Sequence, residues 1–525
     1  MDDSVLWQRL REAVAADDLI VDGERCADYS EDICGGDAVA AAVARPRGVE
    51  ALSHVVASAT GLGYAIVPRG SGHSYTGGAV PDRECCVVVD LTGLDRVLEV
   101  DEVNRWVRVE AGCSWAHLLD VLAPRHLRPP FFGPLSGYRT TIGGALSQSA
   151  AFFGSAMHGF SEQSVLGLTV VLADGTVLRT GVGADEKPHP HASGPDFGSL
   201  FLGDCGAFGV KAEAVMRLRR APASEQFASF EFDGMEAMLK AQIGLAGADG
   251  IGECFGFDPQ AHANLARGGF NLLEGAGIVA DVARGKGSPG ARMKRVASLL
   301  KHGQQSVAEL RYSLHLCVEG ENDAHAMERL VRAAELVIDS GGTPIPDTIP
   351  RVTRSRPFRP IKALLGPDGE RWLTLHGVMR LSEVCAAWRK VRAILDAERV
   401  RRAQHELTVS LLTVISGNAI VVEPHLFWPD SLGRFHRRHV TGEQLRRYAA
   451  RPARMEARAF AHELRAALGD ALRAAGAEHL QIGRYYPYAG RLDPTKRRLL
   501  QTLKTAVDPS GLMNPGVLLP PGASR

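Results

Sequence analysis

The sequence predicts an α+β protein of more than one domain, on three observations. At 525 residues the chain exceeds what one ordinary core organises, so two or three domains are expected. Between 50 and 219, helix and strand signals alternate at short spacing. From about 222 to 460, strand-plus-helix units recur, as in a sheet with helices on one face.

Composition narrows the class before any motif is read. Hydrophobic residues make up 45% and charged residues 23% of the chain, so it does not lack the apolar residues a core needs. Lys+Arg and Asp+Glu both number 60. No global field then draws a nucleic acid or an anionic membrane, and neither partner is expected. The N-terminal stretch MDDSVLWQRLREAVAADDLI reads as an amphipathic helix and not as a secretory signal. No run of about eighteen apolar residues predicts a membrane span. Nine cysteines are scattered without a CxxC pair, which argues against a zinc knuckle or disulfide framework and for a cytoplasmic location.

Within 50–219, EALSHVVASAT at 50–60 has helical spacing, and AIVP at 65–68 is a short strand entering a loop. CCVVVDLT at 85–92 and WVRVEAG at 106–112 read as strands. SWAHLLDVLAP is a helix capped by Ser114 and stopped at Pro124. VLGLTVVLADGTVLRTG at 165–181 is a hairpin turning at Asp174–Gly175, and FGVKAEAVMRLRR at 208–220 adds one more strand. In the second region, strands are expected in ELRYSLHLCVEG, RWLTLHGVMR, LTVSLLTVIS and AIVVEPHLFW, and helices after the first two. The Gly/Lys/Arg-rich stretch 281–303 reads as a mobile excursion. The last part opens with an Arg/Ala-rich helical run, read as a solvated face with an Ala/Leu stripe, and ends in DPSGLMNPGVLLP.

The loop PRGSGHSYTGGA at 68–79 follows a strand but fails the dinucleotide fingerprint GxGxxG. Tyr75 stands where the third glycine belongs, and no helix follows. Its glycines can still offer several backbone N–H groups to a pyrophosphate, and a plain glycine-rich turn is the alternative. Two more glycine-punctuated stretches follow in order, PLSGYRTTIGGALSQS at 134–149 and GPDFGSLFLGDCGAFGVKAEAVMRL at 194–218. Three such loops in series point to an extended dinucleotide lying across loop ends. The candidate cofactor-binding residues are Arg69, Gly70, Ser71, Gly72, His73, Ser74 and Gly78 in the first loop. Pro134, Thr141, Gly143, Gly144 and Ser147 come from the second, Gly206, Gly209 and Val210 from the third, and Asn514 from the tail.

These stretches resemble FAD-linked oxidases of the vanillyl-alcohol oxidase and p-cresol methylhydroxylase type. The first loop resembles the family's pyrophosphate loop, and TTIGGALSQSA its second FAD-binding segment. LGLTVVLADGTVLRTGVGA resembles the hairpin that follows, and LKTAVDPSGLMNPGVLLP the C-terminal signature. The resemblance covers roughly 40–220 and 480–525. It implies a two-lobed FAD-binding domain at 1–220, an α+β cap with an antiparallel sheet flanked by helices at 221–460, and a segment at 461–525 returning to the FAD domain. It also implies an FAD-dependent oxidase or dehydrogenase moving a hydride from a small organic alcohol, phenol or hydroxyacid to the flavin. Oxygen, a cytochrome or a quinone would take the electrons, and a homodimer is compatible with the plan. The same scaffold also hosts redox-neutral lyases or synthases, and could serve as a non-catalytic flavin-binding protein.

In berberine-bridge and cytokinin-oxidising relatives a glycine–histidine step in this loop anchors FAD covalently, and Gly72–His73 resembles it. A hydrogen bond from His73 to a phosphate or a neighbouring loop is the alternative. No cysteine falls between 138 and 150, so a second anchor is not expected. In the phenol-oxidising branch a tyrosine–arginine pair near the C-terminus binds a phenolate. Here IGRYYPY at 482–488 offers Tyr485 with Arg484 before it, while Phe160 falls where that branch carries an aspartate. Strand alternation puts Glu423 and His425 of EPHLFWPD on one face, which makes His425 a candidate base, with His376 and His315 as further strand histidines. The histidine cluster of metal-dependent hydroxyacid dehydrogenases has no clear counterpart, so no metal is expected. The arginine-rich stretch RVTRSRPFRP at 351–360 reads as a solvated surface or, if folded inward, as a carboxylate clamp.

Overall fold

Three sheets of four or more strands organise the chain in the computed structural model, which describes residues 3–181, 194–267, 307–355, 357–358 and 364–520. The stretch 281–303 lies outside the described residues.

The first sheet has four strands in the order Leu19–Ile20, Ala42–Ala44, Cys86–Asp90, Ala65–Arg69, parallel among the last three. Its strands are apolar on both faces, as parallel strands between two layers must be. Helices Asp3–Ala13 and Val49–Gly61 cover one side with Leu6, Leu10, Leu52 and Val55. The second sheet is antiparallel, with five strands: Val97–Asp101, Trp106–Glu110, Val210–Arg217, Val165–Val171 and Val177–Arg179. The Ser114 cap expected from sequence forms, its hydroxyl accepting the His117 N–H at 3.1 Å.

The cap is one antiparallel sheet. Its order is Thr343–Ile345, Ser224–Phe232, Tyr312–Gly320, Ile251–Phe257, Thr408–Ser416, Ala419–Trp428, with Arg371–Thr374 and Gly377–Arg380 both pairing the last strand. Period-two alternation splits its residues between two faces. Phe230, Leu314, Leu316, Leu411, Ile415 and Val422 meet helices Met235–Leu245, Asp323–Asp339, Val384–Ala397 and Met455–Ala474 in the largest apolar core. The other face looks toward the loops of the first two lobes, where Phe255, Leu412, Val414 and Val421 pack on Phe132, Phe152 and Phe153. The sheet therefore has one structural face and one face directed at the lobes below.

RWLTLHGVMR forms two short strands and not one. Both pair in register with Ala419–Trp428, but Pro424 lies opposite the gap and has no N–H to donate. The break releases His376 from the ladder, and its N–H donates instead to the Tyr486 hydroxyl at 3.0 Å. The expected division at 460 falls inside the helix Met455–Ala474, whose Leu464, Leu468 and Leu472 pack into the cap core. The chain then crosses back through 480–486. Met513 lies parallel to Ile66 beside the first sheet, and Leu500, Leu503 and Val507 pack on the second lobe.

Candidate functional site

The first loop leaves its strand at Arg69, whose buried guanidinium donates to the carbonyls of Ala79 (2.9 Å) and Glu31 (2.8 Å). That fixes both ends of the loop. Gly72 has φ +73°, and a Cβ there would overlap the Arg69 guanidinium. Among the described residues, the N–H groups of Ser71, Gly72 and His73 have no acceptor. Consecutive free N–H groups around a left-handed glycine form a concave donor surface suited to a phosphate. The residues present thus fit the pyrophosphate of FAD.

The companion loops close on the first. A Cβ at Gly70 would overlap Thr141, and one at Gly78 would lie 3.4 Å from Cys205 Sγ. Thr141 Oγ1 accepts the Gly144 N–H, Gly143 donates to Ala111 O at 2.7 Å, and Ser147 O accepts the Cys205 N–H at 2.9 Å. Pro134 accepts the Gly137 N–H in the approach turn. Ser74 Oγ reaches Gln148 Oε1 at 3.4 Å. Asp204 accepts the N–H of Gly206, while Gly209 packs against Val170 and Val210 pairs with Val171. Asn514 ties the tail in, donating to Gly78 O (2.7 Å) and Cys205 O (2.6 Å). All four segments expected to hold the cofactor therefore converge at one place.

Arg484 is occupied elsewhere than the sequence suggested. Its guanidinium donates to the carbonyls of Pro515 (2.8 Å), Val80 (2.7 Å) and Gly77, and to Asn514 Oδ1 (2.7 Å). These bonds use it to splice the tail to the loop and not to receive a substrate anion. Tyr485 turns its hydroxyl toward the helix Met455–Ala474, 3.7 Å from a Cβ at Gly469. The Arg465 guanidinium lies 3.6 Å from its ring centre. The neighbouring Tyr486 is the tyrosine that joins the polar cluster.

That cluster lies between loop, cap and tail. The Tyr75 hydroxyl donates to His376 Nδ1 (3.2 Å) and accepts from Gln481 Nε2 (3.0 Å). His376 Nε2–H donates to Leu480 O at 2.6 Å. Burial lowers His376 to about 4, so the ring is neutral and carries one donor and one acceptor. Burial also raises the Tyr75 phenol well above its ordinary value. Beside them, His425 Nε2 stands 3.5 Å from Glu423 Oε1, an ion-pair distance, with the Trp372 ring edge-on at 5.7 Å. The Glu423 and His425 side chains keep 23% and 22% of their surface exposed. Burial works to raise Glu423, but His425, His376 and the Thr374 hydroxyl outweigh it and hold the carboxylate below its usual range. Asp258 joins this region. Its Oδ1 accepts the N–H groups of Ala261 (2.9 Å) and Leu411 (3.0 Å), and burial pushes it up to about 6 although His425 pulls it down. Two carboxyls with opposite shifts beside one imidazole form an acid–base array.

His73 packs edge-on against Phe435 (5.5 Å) and His439 (5.0 Å), with Nδ1 3.2 Å from Ser71 O. Burial, then the nearby His439 and Arg139, lower it to about 3.

Two arginine readings are corrected. Arg354 is buried on the helix Thr348–Ser355, bonded to Glu253 (2.6 Å), Glu225 (3.0 Å) and Glu319 (2.9 Å), and stacked over Phe132. Three carboxylates outcompete water for it, so it neither faces solvent nor has charge to spare for a substrate. Arg356 and Arg359 lie outside the described residues. Arg465, in the helix expected to be a solvated face, is 2% exposed and donates to Thr374 O and Tyr75 O. Asp258, Gln481 and Arg465 were not singled out from sequence, and Tyr75 was read only as the residue in a glycine's place. Only the placement of Asp258 directly before a helix, a capping signature, marked any of them.

Among the described residues, no three His, Cys, Asp or Glu side chains converge as metal ligands, and no helix is long and apolar enough to cross a membrane. All nine cysteines are free.

A protein-family model described as an FAD binding domain matches residues 40–181. The chain is similar to the glycolate oxidase subunit GlcD of Bacillus subtilis, 29% identical over 197 residues, which are 37% of this chain and 40% of that one. It is 27% identical over 190 residues to the D-lactate dehydrogenase [cytochrome] 1 of Saccharomyces cerevisiae, covering 36% and 31%. The chain thus spans two fifths or less of these relatives' lengths. The structure of p-cresol methylhydroxylase with substrate bound superposes with a TM-score of 0.73 over 98% of this chain and 96% of that one, at 15% identity.

Proposed function

We propose, for a chain that belongs to the FAD-linked oxidases of the vanillyl-alcohol oxidase and p-cresol methylhydroxylase type, that it dehydrogenates a small organic alcohol, phenol or hydroxyacid. The observation that carries this reading is the Glu423–His425 pair, partly exposed and joined to the glycine-rich loop through Trp372, whose ring lies edge-on to both His425 and Tyr75. The hydroxyacid part of the range is supported by the relatives named for glycolate and D-lactate.

Arg69, Gly70, Ser71, Gly72, His73, Ser74, Gly78, Thr141 and Asn514 hold FAD, with Gly143, Gly144, Ser147, Pro134, Gly206, Gly209 and Val210 shaping the loops that reach it. FAD held there would supply the acceptor for a hydride from the substrate carbon. His425, whose side chain is partly exposed beside Glu423, takes the proton of the substrate hydroxyl. Glu423, held ionised, stabilises the imidazolium that results. Arg484 and Tyr485 position the loop and tail and do not touch the reacting atoms. His73 is the candidate covalent anchor of the flavin.

Anaerobic mixing of the yellow protein with a panel of phenols, primary alcohols and 2-hydroxyacids tests the reading. At least one member should bleach the flavin, and His425→Asn should slow bleaching by roughly 10²–10⁴-fold while the flavin stays bound. A protein that binds no flavin after reconstitution would refute it.

A further inference from the structure

The cap sheet carries a second buried polar array, apart from the Glu423–His425 pair and unused by the chemistry above. Ser229, Ser313 and His315 share the sheet face that looks toward the FAD domain, because Ser229 stands directly opposite His315 and Ser313 is two residues away on the same strand. His262 reaches them from the helix Pro259–Arg267. The links are continuous: Ser229 Oγ to His315 Nδ1, His315 Nε2 to Ser313 Oγ, and Ser313 Oγ to His262 Nε2, each 2.8 Å. Ser313, His315 and His262 are wholly buried.

The inner end of this chain lies on the helix Pro259–Arg267, which the Asp258 carboxylate caps. His262 is one helical turn after Asp258, donating its N–H to the Asp258 carbonyl at 3.2 Å. Asp258 in turn accepts from Leu411, which pairs with Pro424, the residue between Glu423 and His425. At the outer end, Ser229 stands one strand from the sheet edge, opposite Ile345. It also lines a surface groove of about 450 Å³ with Ile345 and Asp347.

We propose that His262, Ser313, His315 and Ser229 form a proton relay that carries the substrate's hydroxyl proton from the Asp258–His425 region to the edge of the cap. Resting on the dehydrogenase reading, it adds the route by which that reaction discharges its proton. The balance is simple. An alcohol and oxidised flavin give a carbonyl compound, anionic reduced flavin and one proton, and that proton must leave the buried site.

The hydrogen bonds allow one consistent direction for the loaded state. His262 Nε2–H donates to Ser313, the Ser313 hydroxyl donates to His315 Nε2, and His315 Nδ1–H donates to Ser229. That leaves the lone pair of His262 Nδ1 without a partner among the described residues, as found. A proton arriving at Nδ1 pushes one proton along each link, so Ser229 releases one and every donor reverses. Burial keeps both rings neutral, lowering His262 to about 4 and holding His315 well below its ordinary value. Each ring therefore has the one donor and one acceptor that the relay requires.

Ser313→Ala removes the hydroxyl shared by both imidazoles, and Ser313→Thr keeps it. In anaerobic rapid mixing with a bleaching substrate and a pH-indicator dye, the alanine variant should reduce its flavin yet release its proton about tenfold or more slowly. Its solvent isotope effect should change, and threonine should restore both. Ser229→Ala, at the outer end, should show the same delay and serves if Ser313→Ala does not fold. Proton release that keeps pace with flavin reduction in the alanine variants overturns the relay and leaves the dehydrogenase reading intact. Absence of flavin reduction by every substrate in the unaltered protein overturns both.

Discussion

The guanidinium of Arg465 donates to the carbonyl oxygen of Tyr75 across 2.7 Å, joining a cap helix to the glycine-rich loop. The same group donates to Thr374 O at 2.9 Å and stacks on Tyr485. One buried cation thereby registers loop, cap sheet and tail against each other. The Tyr75 hydroxyl is tied separately to His376 and Gln481, so this residue is held at both its backbone and its side chain.

Arg465→Ala should therefore lower stability by about 2–3 kcal/mol, the cost of stranding buried acceptors, and weaken flavin binding because the loop loses its register. Arg465→Lys, with a point charge in place of a planar fork, should recover part of the stability but not the stacking on Tyr485. Thermal denaturation and flavin titration measure the two effects. An alanine variant that melts and binds flavin like the parent would show that the contact is idle.

Gly72→Ala confronts both a φ of +73° and the Arg69 guanidinium. The left-handed backbone alone costs a β-carbon about 1–2 kcal/mol, and Arg69 cannot move without releasing Ala79 and Glu31. Flavin affinity should fall by at least about tenfold, the equivalent of 1.4 kcal/mol. Gly234→Ala is the matched control, since nothing lies within 4 Å of a Cβ there. Equal flavin affinity in the two variants would contradict the cradle.

The FAD loops were legible in the sequence because their demands are local: a left-handed glycine or a close loop approach restricts residue type at that position. The polar cluster was not, because its members are distant in the chain. Tyr75 and His376 are 301 residues apart, and His376 and Tyr486 are 110. The tyrosine–arginine reading of 484–485 failed for a related reason. The chain folds back on Thr76, with Arg484 and Tyr485 both donating backbone N–H groups to its carbonyl, and this aims Tyr486 into the cluster and Arg484 at the tail. Arg465 could not be told from its solvated neighbours in an arginine-rich helix. The Glu423–His425 pairing was readable, since strand alternation alone puts them on one face, but which layer that face meets depends on the helices that cover the other.

Stability should fall on acidification below the ordinary histidine value. His376 is lowered to about 4, and His479 and His73 to about 3, each chiefly by burial. The unfolded chain binds protons on these rings from pH 6.5 downward, whereas the folded chain does not until about pH 4 or below. Folding stability is thus fully present above pH 6.5 and declines through that window. His376, 1% exposed, contributes a slope of up to about 1.4 kcal/mol per pH unit. Tm measured from pH 7 to 4.5 should drop steeply, and a flat profile would mean these rings are charged in the fold or reach solvent.

The anchoring role proposed for His73 makes a prediction about a single atom. A bond to the flavin requires a ring nitrogen with a free lone pair. The Nδ1 proton is directed at the Ser71 carbonyl, which leaves the lone pair on Nε2. With the ring lowered to about 3 chiefly by burial, with nearby His439 and Arg139 adding to it, protonation does not consume that lone pair at neutral pH. Packing against Phe435 and His439 further restricts how the ring can turn. Acid-precipitated protein should stay yellow, and proteolysis should recover the flavin on the peptide containing His73, linked through Nε2. His73→Ala should bind flavin that acid releases, and His73→Gln should behave like it, since an amide hydrogen-bonds but does not alkylate. Colour that follows the supernatant from the unaltered protein leaves His73 a loop-packing residue. Colour that stays with the alanine variant places the bond on another side chain.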